Sequence, residues 1–238
     1  VGREEEVANP GDYLTFQIAD EPIVVIRGLD GETRALSNVC RHRATVIAQG
    51  TGNAKTLTCP YHAWAYDTTG ALLRAPHITE REDFVVADCR LPQFATEVWL
   101  GFVFVSLSQQ PTPLGERLEP LRQTIEAYHF EQMHLGYLTE WTWDTNWKCL
   151  FENFMEGYHL SPLHYDTLHK LNPTRLCEHI SPGDGYFGYK VGFAERVDGA
   201  SGGHSDLSDE QRTSCIMLAL PPGLAIGGAG DYSSFLCI

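Results

Sequence analysis

Two short loops that combine cysteine with histidine constrain this chain more than any other feature. The first loop carries Cys40 and His42, and the second carries Cys59 and His62. Two thiolates and two imidazoles are the protein ligands of a [2Fe–2S] centre in which histidines replace cysteines on one iron. Because the cysteine precedes the histidine in each loop, each loop can supply one ligand to each iron. The pattern therefore predicts a domain folded around an iron–sulfur cluster.

Zinc is the other metal that two cysteines and two histidines can hold. Zinc loops usually pair like residues, cysteine with cysteine and histidine with histidine. Each loop here instead pairs a cysteine with a histidine, so the pattern favours the mixed-ligand, or Rieske-type, cluster. A zinc-stabilised binding protein, which would contain zinc and no iron, stays open as an alternative.

One glutamate and two histidines form a second group of candidate ligands farther along the chain. They are Glu156, His159 and His164, in an E-x2-H-x4-H arrangement. Two histidines and one carboxylate with open positions make the facial triad of non-haem iron(II) oxygenases. Pro162 disfavours a continuing helix between the histidines, so the backbone can bend and bring His164 toward His159.

The residues that lead into this second group have the periodicity of a helix. The pattern predicts a helix over 146–159, with Thr145 or Asn146 as its N-cap. Its apolar face comprises Trp147, Leu150, Phe151, Phe154 and Tyr158. A polar stripe at three- and four-residue steps comprises Lys148, Glu152, Glu156 and His159. We therefore expect one side of this helix to present Glu156 and His159 together.

With their flanking residues, both groups resemble the Rieske non-haem iron oxygenases, the ring-hydroxylating oxygenase α-subunit family. The first loop reads Cys-Arg-His-Arg over 40–43, and the second reads Cys-Pro-Tyr-His-Ala-Trp-Ala-Tyr over 59–66. The segment 146–164 is similar to the catalytic-iron segment of that family. The family usually has glycine where this chain has Ala44 and Ala63, and glycine can mark a backbone position with little steric room.

This resemblance implies a role for each candidate residue. The four loop residues would hold the [2Fe–2S] cluster, and His159 and His164 would bind a mononuclear iron(II). Glu156 would be the electron-transfer bridge to a cluster histidine of the neighbouring subunit, and Asn153 would lie near the iron. The third iron ligand, a carboxylate, is expected beyond residue 238, which makes the chain a C-terminally truncated fragment in this interpretation.

The resemblance also implies an activity and partners. It implies a ring of subunits, commonly a trimer, that oxygenates a small molecule with O2. Electrons would come from NAD(P)H through a flavin reductase, with or without a ferredoxin. A Rieske electron carrier without oxygenase chemistry is an alternative, although the histidine pair and the long second part of the chain argue against it.

The residue at the bridge position bears on the substrate. Glutamate there is similar to the branch that acts on carnitine, glycine betaine, choline and stachydrine, so we expect a monooxygenase or demethylase of a quaternary ammonium or N-methyl compound. An aromatic-ring-hydroxylating dioxygenase is the alternative. A quaternary ammonium site favours an aromatic cage. Candidates for that cage, with ordinary strand packing as the other interpretation, are Tyr186, Phe187, Tyr189 and Phe193.

Strand and turn patterns divide the chain into parts. Residues 5–110 are predicted as an all-β Rieske domain, 111–140 as a linker with a helix over 114–129, and 141–238 as an α+β catalytic domain with an incomplete antiparallel sheet. Strands are predicted over 13–18, 22–27, 99–105, 186–197, 213–220 and 224–238. Turns are predicted over 28–31 and 221–223, and an exposed flexible loop over 198–209.

Charge and composition narrow the partners and the compartment. The net charge of −14 argues against a nucleic acid or an anionic membrane surface as partner. No run of apolar residues is long enough to predict a transmembrane helix, and no signal-peptide pattern opens the chain. Five of the seven cysteines lie outside the two loops, and we expect reduced, mostly buried thiols in a cytoplasmic protein.

Overall fold

The β-branched runs near the N-terminus form antiparallel sheets. The computed structural model describes residues 1–78, 83–194, 204–230 and 232–237. It groups Val1–Pro111 into one unit and Thr112–Ile238 into another. The helix predicted as part of a linker belongs to the second unit, where it forms α1 (Leu114–Ile125).

Short strands make up most of the first unit. They are β1 (Gly2–Arg3), β2 (Asp12–Ile18), β3 (Glu21–Arg27), β4 (Thr33–Ser37), β5 (Thr51–Asn53), β6 (Thr56–Thr58), β7 (Ala65–Asp67), β8 (Leu72–Arg74), β9 (Gln93–Trp99) and β10 (Phe102–Ser106). Two 3-10 turns accompany them, Glu4–Val7 and Val86–Cys89. Among the described residues, one sheet has the order β1-β10-β9-β4-β3-β2-β5 and a smaller one the order β6-β7-β8. The predicted all-β architecture of this unit is confirmed.

Strand β3 lies between two hydrophobic cores of this unit. Ile23 and Val25 pack into one core, and Val24 and Ile26 into the other, and all four are fully buried. This alternation follows from the two-residue repeat of a strand. Burial of each such side chain stabilises the fold by roughly 1.5–3 kcal/mol. The second core also contains the cysteines of both ligand loops.

A turn divides the strand predicted over 99–105. Trp99 ends β9, Leu100 and Gly101 form the turn with positive φ of 50° and 76°, and residues 102–105 belong to β10. Such a pair makes the tight turn that suits a two-residue hairpin. The turn predicted over 28–31 is confirmed, with Gly31 N–H donating to Gly28 O at 2.9 Å.

The second unit combines short helices, most of them before the first strand, with an antiparallel sheet. The helices are α1, α2 (Trp147–Phe154), α3 (Leu160–Leu163), α4 (Leu168–Leu171) and α5 (Asp209–Arg212), with 3-10 turns at Glu126–Tyr128, Phe130–Gln132 and Thr174–Leu176. The strands are β11 (Cys177–Gly183), β12 (Tyr186–Gly192), β13 (Ser214–Leu220), β14 (Leu224–Ala229) and β15 (Tyr232–Cys237). Among the described residues they form one sheet in chain order. The predicted α+β class is confirmed.

Several predicted boundaries in this unit are wrong. The helix predicted over 114–129 ends at Ile125 and continues as a 3-10 turn through Tyr128. His129, which is left-handed with φ 48°, ends that turn. The strand predicted over 224–238 is the pair β14 and β15. Strand β11 was not predicted, because its polar sequence carries no alternation. The loop predicted over 198–209 lies partly outside the described residues, which resume at His204.

Two expectations from composition have different outcomes. None of the five cysteines outside the loops is fully buried. Cys89, Cys177 and Cys215 are half-buried, and Cys149 and Cys237 are exposed. The expectation of mostly buried thiols is therefore wrong. Within the described ranges, no helix combines the length and the apolar character that crossing a membrane requires.

Candidate cluster and iron sites

The two ligand loops have the same backbone geometry. Ala44 N–H donates to Cys40 O at 3.0 Å, and Ala63 N–H donates to Cys59 O at 3.1 Å. Both alanines are left-handed, with φ of 53° and 57°. A left-handed conformation costs a residue with a side chain roughly 1–2 kcal/mol, and glycine adopts it readily. Positive φ, rather than the predicted lack of steric room, therefore explains why glycine suits these positions.

Within each loop the cysteine faces inward and the histidine outward. Cys40 and Cys59 are 3% and 2% exposed, whereas His42 is half-buried and His62 is exposed. The two imidazole rings are 4.6 Å apart at an interplanar angle of 71°. Imidazoles bound to one metal at about 2.1 Å place their ring centres about 5 Å apart. The histidine pair therefore fits one iron at the surface, with the cysteines around a second iron beneath it.

The spacing of the four ligands argues against a single zinc ion. Ligands of one tetrahedral metal lie about 3.3–3.8 Å from one another. No three of the four loop ligands bring their ligating atoms within 4.8 Å of one another. Among the described residues, only a group elsewhere in the chain does so. The loop ligands are thus too dispersed for one ion and fit a two-iron cluster.

Two aromatic residues of the second loop complete the surroundings of the cluster site. Tyr66 is fully buried, and its hydroxyl lies 3.4 Å from Cys40 Sγ and accepts from Arg41 N–H at 3.1 Å. Burial and the contact with Cys40 raise the pKa of Tyr66. Trp64 stacks on His42 with ring centres 4.9 Å apart. Its buried indole N–H has no acceptor among the described residues, as expected where a cluster sulfide would accept the bond.

The predicted helix before the iron-binding residues is shorter than the sequence indicates. Helix α2 begins after Asn146, whose side chain accepts from Lys148 N–H at 3.0 Å, as the predicted N-cap requires. It ends at Phe154, so the polar stripe does not extend along one helix to Glu156. Instead, the Glu156 carboxylate accepts from the backbone N–H groups that follow it, and these bonds replace the helical ones.

A separate short helix, α3, brings the two histidines together. His159 precedes it and His164 follows it, and the ring centres are 5.3 Å apart at 65°. This spacing also fits two imidazoles on one metal ion. Pro162 does not end a helix, as the sequence suggested. It lies within the first turn of α3, where its missing N–H has no intrahelical partner to lose.

Glu156 contacts the first of these histidines directly. One carboxylate oxygen binds His159 Nδ1, and the other accepts from His159 N–H at 3.1 Å. Burial raises the pKa of Glu156, but the bonds from His159 and Tyr158 outweigh it and hold that pKa below its usual value. A carboxylate on Nδ1 fixes the tautomer and directs Nε2 toward a metal. The side chain of Glu156 is also 39% exposed, so it can contact a further group.

Thr174 links the segments on both sides of His159. Its hydroxyl donates to Gly157 O at 2.8 Å and accepts from Ser161 N–H at 3.1 Å. Its own N–H donates to Ser161 Oγ at 3.1 Å. These bonds hold the residues before His159 and the start of α3 in one geometry. Sequence reasoning missed this residue because nothing in its local sequence indicates a tertiary contact.

The remaining predicted residues are less closely grouped. Asn153 lies on the exposed side of α2. On β12, Phe187 packs against the core around α2, while Tyr186 points to the opposite face of the strand. Tyr189 is buried against Gly157. The four aromatic candidates therefore do not form one cage, because strand alternation separates Tyr186 from the others.

A mixed cysteine–histidine cluster site and a carboxylate-oriented histidine pair on one chain define the class of Rieske non-haem iron oxygenases. Comparison with known families agrees. Residues 1–95 match the Rieske [2Fe-2S] domain, and residues 130–235 match the catalytic domain of the ring-hydroxylating α subunit. The chain belongs to this ring-hydroxylating oxygenase α-subunit family. Its members' [2Fe–2S] cluster and mononuclear iron are the cofactors that the two sites fit.

Curated relatives include oxygenases of two kinds. The chain is 34% identical over 169 residues to the carnitine monooxygenase oxygenase subunit of Acinetobacter baumannii, covering 69% of this chain and 45% of the relative. It is 37% identical over 172 residues to the glycine betaine monooxygenase oxygenase subunit of Chromohalobacter salexigens, covering 72% and 38%. It is 36% identical over 171 residues to the anthranilate 1,2-dioxygenase large subunit of Acinetobacter baylyi, covering 68% and 36%. The chain thus spans less than half the length of these relatives.

Among solved structures, the chain is similar to a quaternary ammonium Rieske monooxygenase studied for carnitine oxidation by gut microbiota and for inter-subunit electron transfer. The TM-score is 0.82 at 25% identity, covering 100% of this chain and 64% of that one.

Proposed function

We propose that the complete protein is the terminal oxygenase of an O2-dependent system that oxidises a quaternary ammonium or N-methyl compound. The observation that carries the proposal is the paired arrangement of His159 and His164, with Glu156 on the Nδ1 of the first, in the same chain as the cluster loops. Relatives named carnitine and glycine betaine monooxygenase subunits support the substrate class.

Each site has a distinct task in this proposal. When bound, the iron activates O2 and the cluster supplies single electrons. His159 and His164 hold the iron, and Glu156 keeps His159 in the tautomer that ligation requires. The outward His62 is the electron exit from the cluster site, and the exposed part of Glu156 receives a cluster histidine of the neighbouring subunit. We propose that the protein forms a homo-oligomer, namely a trimer. A flavin reductase, with or without a ferredoxin, supplies it with electrons from NAD(P)H. The third iron ligand, a role of Asn153 near the iron and the cytoplasmic localisation remain predictions.

The bridge is tested by changing Glu156 without removing its hydrogen-bond acceptor. Glu156→Gln keeps a carbonyl oxygen for His159 Nδ1, so both metals should stay bound. It removes the charge and one acceptor, so product formation should stop while the cluster is still reduced by its donor. Glu152→Gln, at an exposed position of α2, is the matched control and should be unaffected. Normal turnover in Glu156→Gln would refute the bridge.

The substrate class is tested with the full-length protein, a source of electrons and O2. N-methyl quaternary ammonium compounds and simple arenes are supplied in parallel, and products are identified by mass. Formaldehyde or an oxidised, cleaved ammonium compound is expected. A second candidate, ring dioxygenation, is favoured by the anthranilate 1,2-dioxygenase relative. It predicts diols from arenes with the ammonium compounds inert.

Metal content separates oxygenase from electron carrier. An intact oxygenase should contain about three irons per chain, whereas a carrier should contain about two. Loss of about one iron in a His159→Ala, His164→Ala variant, with an unchanged cluster spectrum, is the expected result. A colourless protein that contains zinc in place of iron would contradict both the oxygenase and the electron carrier.

A further inference from the structure

A second histidine group consists of residues that belong to neither proposed iron site. His129, His204 and Asp206 bring one ligating atom each within 4.8 Å of one another, alone among the described residues. Asp206 Oδ2 is 3.0 Å from His129 Nε2 and 3.5 Å from His204 Nδ1. Ligands of a tetrahedral zinc ion lie about 3.3 Å apart. The two imidazole ring centres are 3.8 Å apart, so the partly exposed ring of His204 would have to move outward to reach the spacing of about 5 Å in a bound pair. We propose that His129, His204 and Asp206 form a structural zinc site, with water as the remaining ligand.

The neighbouring groups orient two of the three ligands as a metal site requires, whereas His204 Nδ1 accepts from Asp206 N–H at 3.4 Å and would exchange that bond for the metal. Glu131 Oε1 lies 3.1 Å from His129 Nδ1, on the nitrogen opposite the one that faces Asp206. A carboxylate on the outer nitrogen of a metal-binding histidine fixes its ring and raises its basicity. Ser205 Oγ donates to Asp206 Oδ1 at 3.2 Å, which leaves Oδ2 for the metal.

The backbone on both sides of the site is fixed. His129 is left-handed with φ 48° and ψ 47° between the buried Tyr128 and Phe130. Non-glycine residues in this conformation are uncommon and cluster at ligand clamps. Arg212 donates to the carbonyl oxygens of His204 and Ser205, at 2.8 and 3.1 Å. The ligands are therefore held from two separate segments. A bound ion would fasten His204 and Asp206, which precede α5, to His129, which follows the 3-10 turn after α1.

Charge at this site favours a divalent cation. Asp206 and Glu131 place two carboxylates beside the imidazoles of His129 and His204. A bound zinc ion would offset these two negative charges, and both histidines would bind it as neutral imidazoles.

The test measures zinc binding in a chain that lacks the other histidine pair. The full chain with its cluster carries His159→Ala and His164→Ala, so the result does not depend on the proposed function. Zinc chloride is titrated against a chromophoric chelator, and bound zinc per chain is measured by equilibrium dialysis. One zinc per chain is expected. His204→Ala and Asp206→Asn should each weaken binding at least tenfold.

Controls separate this site from general surface binding. His179→Ala removes an exposed histidine on β11 and should leave zinc binding unchanged. Glu131→Gln should weaken it by about tenfold, because the ligand loses its orienting carboxylate. Circular dichroism and the cluster spectrum confirm that each variant is folded. Absence of saturable binding, or equal binding in the His204→Ala and His179→Ala variants, would overturn the proposal.

Discussion

The hydroxyl of Tyr66 should tune the reduction potential of the cluster. A ligating cysteine carries no proton, and Tyr66 Oη already accepts from Arg41 N–H, so the tyrosine proton is directed to Cys40 Sγ. The raised pKa of Tyr66 keeps that proton in place at neutral pH. A hydrogen bond to the thiolate stabilises the reduced cluster more than the oxidised one, because the reduced cluster is more negative. Removal of the hydroxyl should therefore lower the potential.

The size of the effect follows from the strength of this bond. Hydrogen bonds to charged groups contribute about 1.5–3 kcal/mol. A difference of about 1–2 kcal/mol between the two redox states corresponds to about 40–90 mV for a one-electron couple. Tyr66→Phe should lower the midpoint potential by this amount, as measured by redox titration of the visible and EPR spectra. It should also reduce stability slightly, because Arg41 N–H loses its acceptor.

A matched control lies in the same loop. Tyr61 is 59% exposed and next to the ligand His62, so Tyr61→Phe removes a hydroxyl near the cluster without removing a bond to sulfur. The midpoint potential of the cluster in Tyr61→Phe should match that of the unaltered protein. An unchanged potential in Tyr66→Phe, with an intact cluster spectrum, would refute the reasoning, and an equal fall in both variants would show a general effect of polarity.

Further predictions concern the loops and the iron-binding segment. Thr174→Val should weaken iron binding about 10- to 100-fold while Thr174→Ser retains it, as measured by iron titration, because the hydroxyl that serine keeps and valine lacks bonds both Gly157 O and Ser161 N–H. Ala63→Gly should raise the free energy of unfolding by up to about 1 kcal/mol in thermal unfolding, because relief of the left-handed strain exceeds the entropy cost of glycine; unchanged or lower stability would contradict this. Gly157→Ala should destabilise by about 1–3 kcal/mol, because the new Cβ would overlap Cys177 Sγ. Gly115→Ala, in α1, meets open space and should not destabilise, because alanine favours a helix more than glycine does.

The sequence predicts what is local and misses what depends on distant contacts. The cluster ligands could be predicted because each loop carries its own pair within three or four residues. The helix over 146–159 was predicted too long, because the apolar and polar periodicity continues after the backbone leaves the helix at Phe154. After the helix, the carboxylate of Glu156 binds the backbone N–H groups of Tyr158 and His159, a local side-chain-to-backbone bonding that periodicity does not encode. Likewise, an alanine at positive φ carries no sequence signal, so Ala44 and Ala63 were identified only as departures from a pattern.

The exposure of two residues bears on how electrons reach the iron. His62 reaches the surface of the first unit, while both cysteines beneath it are buried. Glu156 keeps 39% of its side chain exposed while it binds His159 in the second unit. In the route that we propose from one subunit to the next, the donor histidine and the accepting carboxylate meet at an interface, so both must reach the surface. The surface positions of His62 and Glu156 therefore support the proposed bridge between subunits.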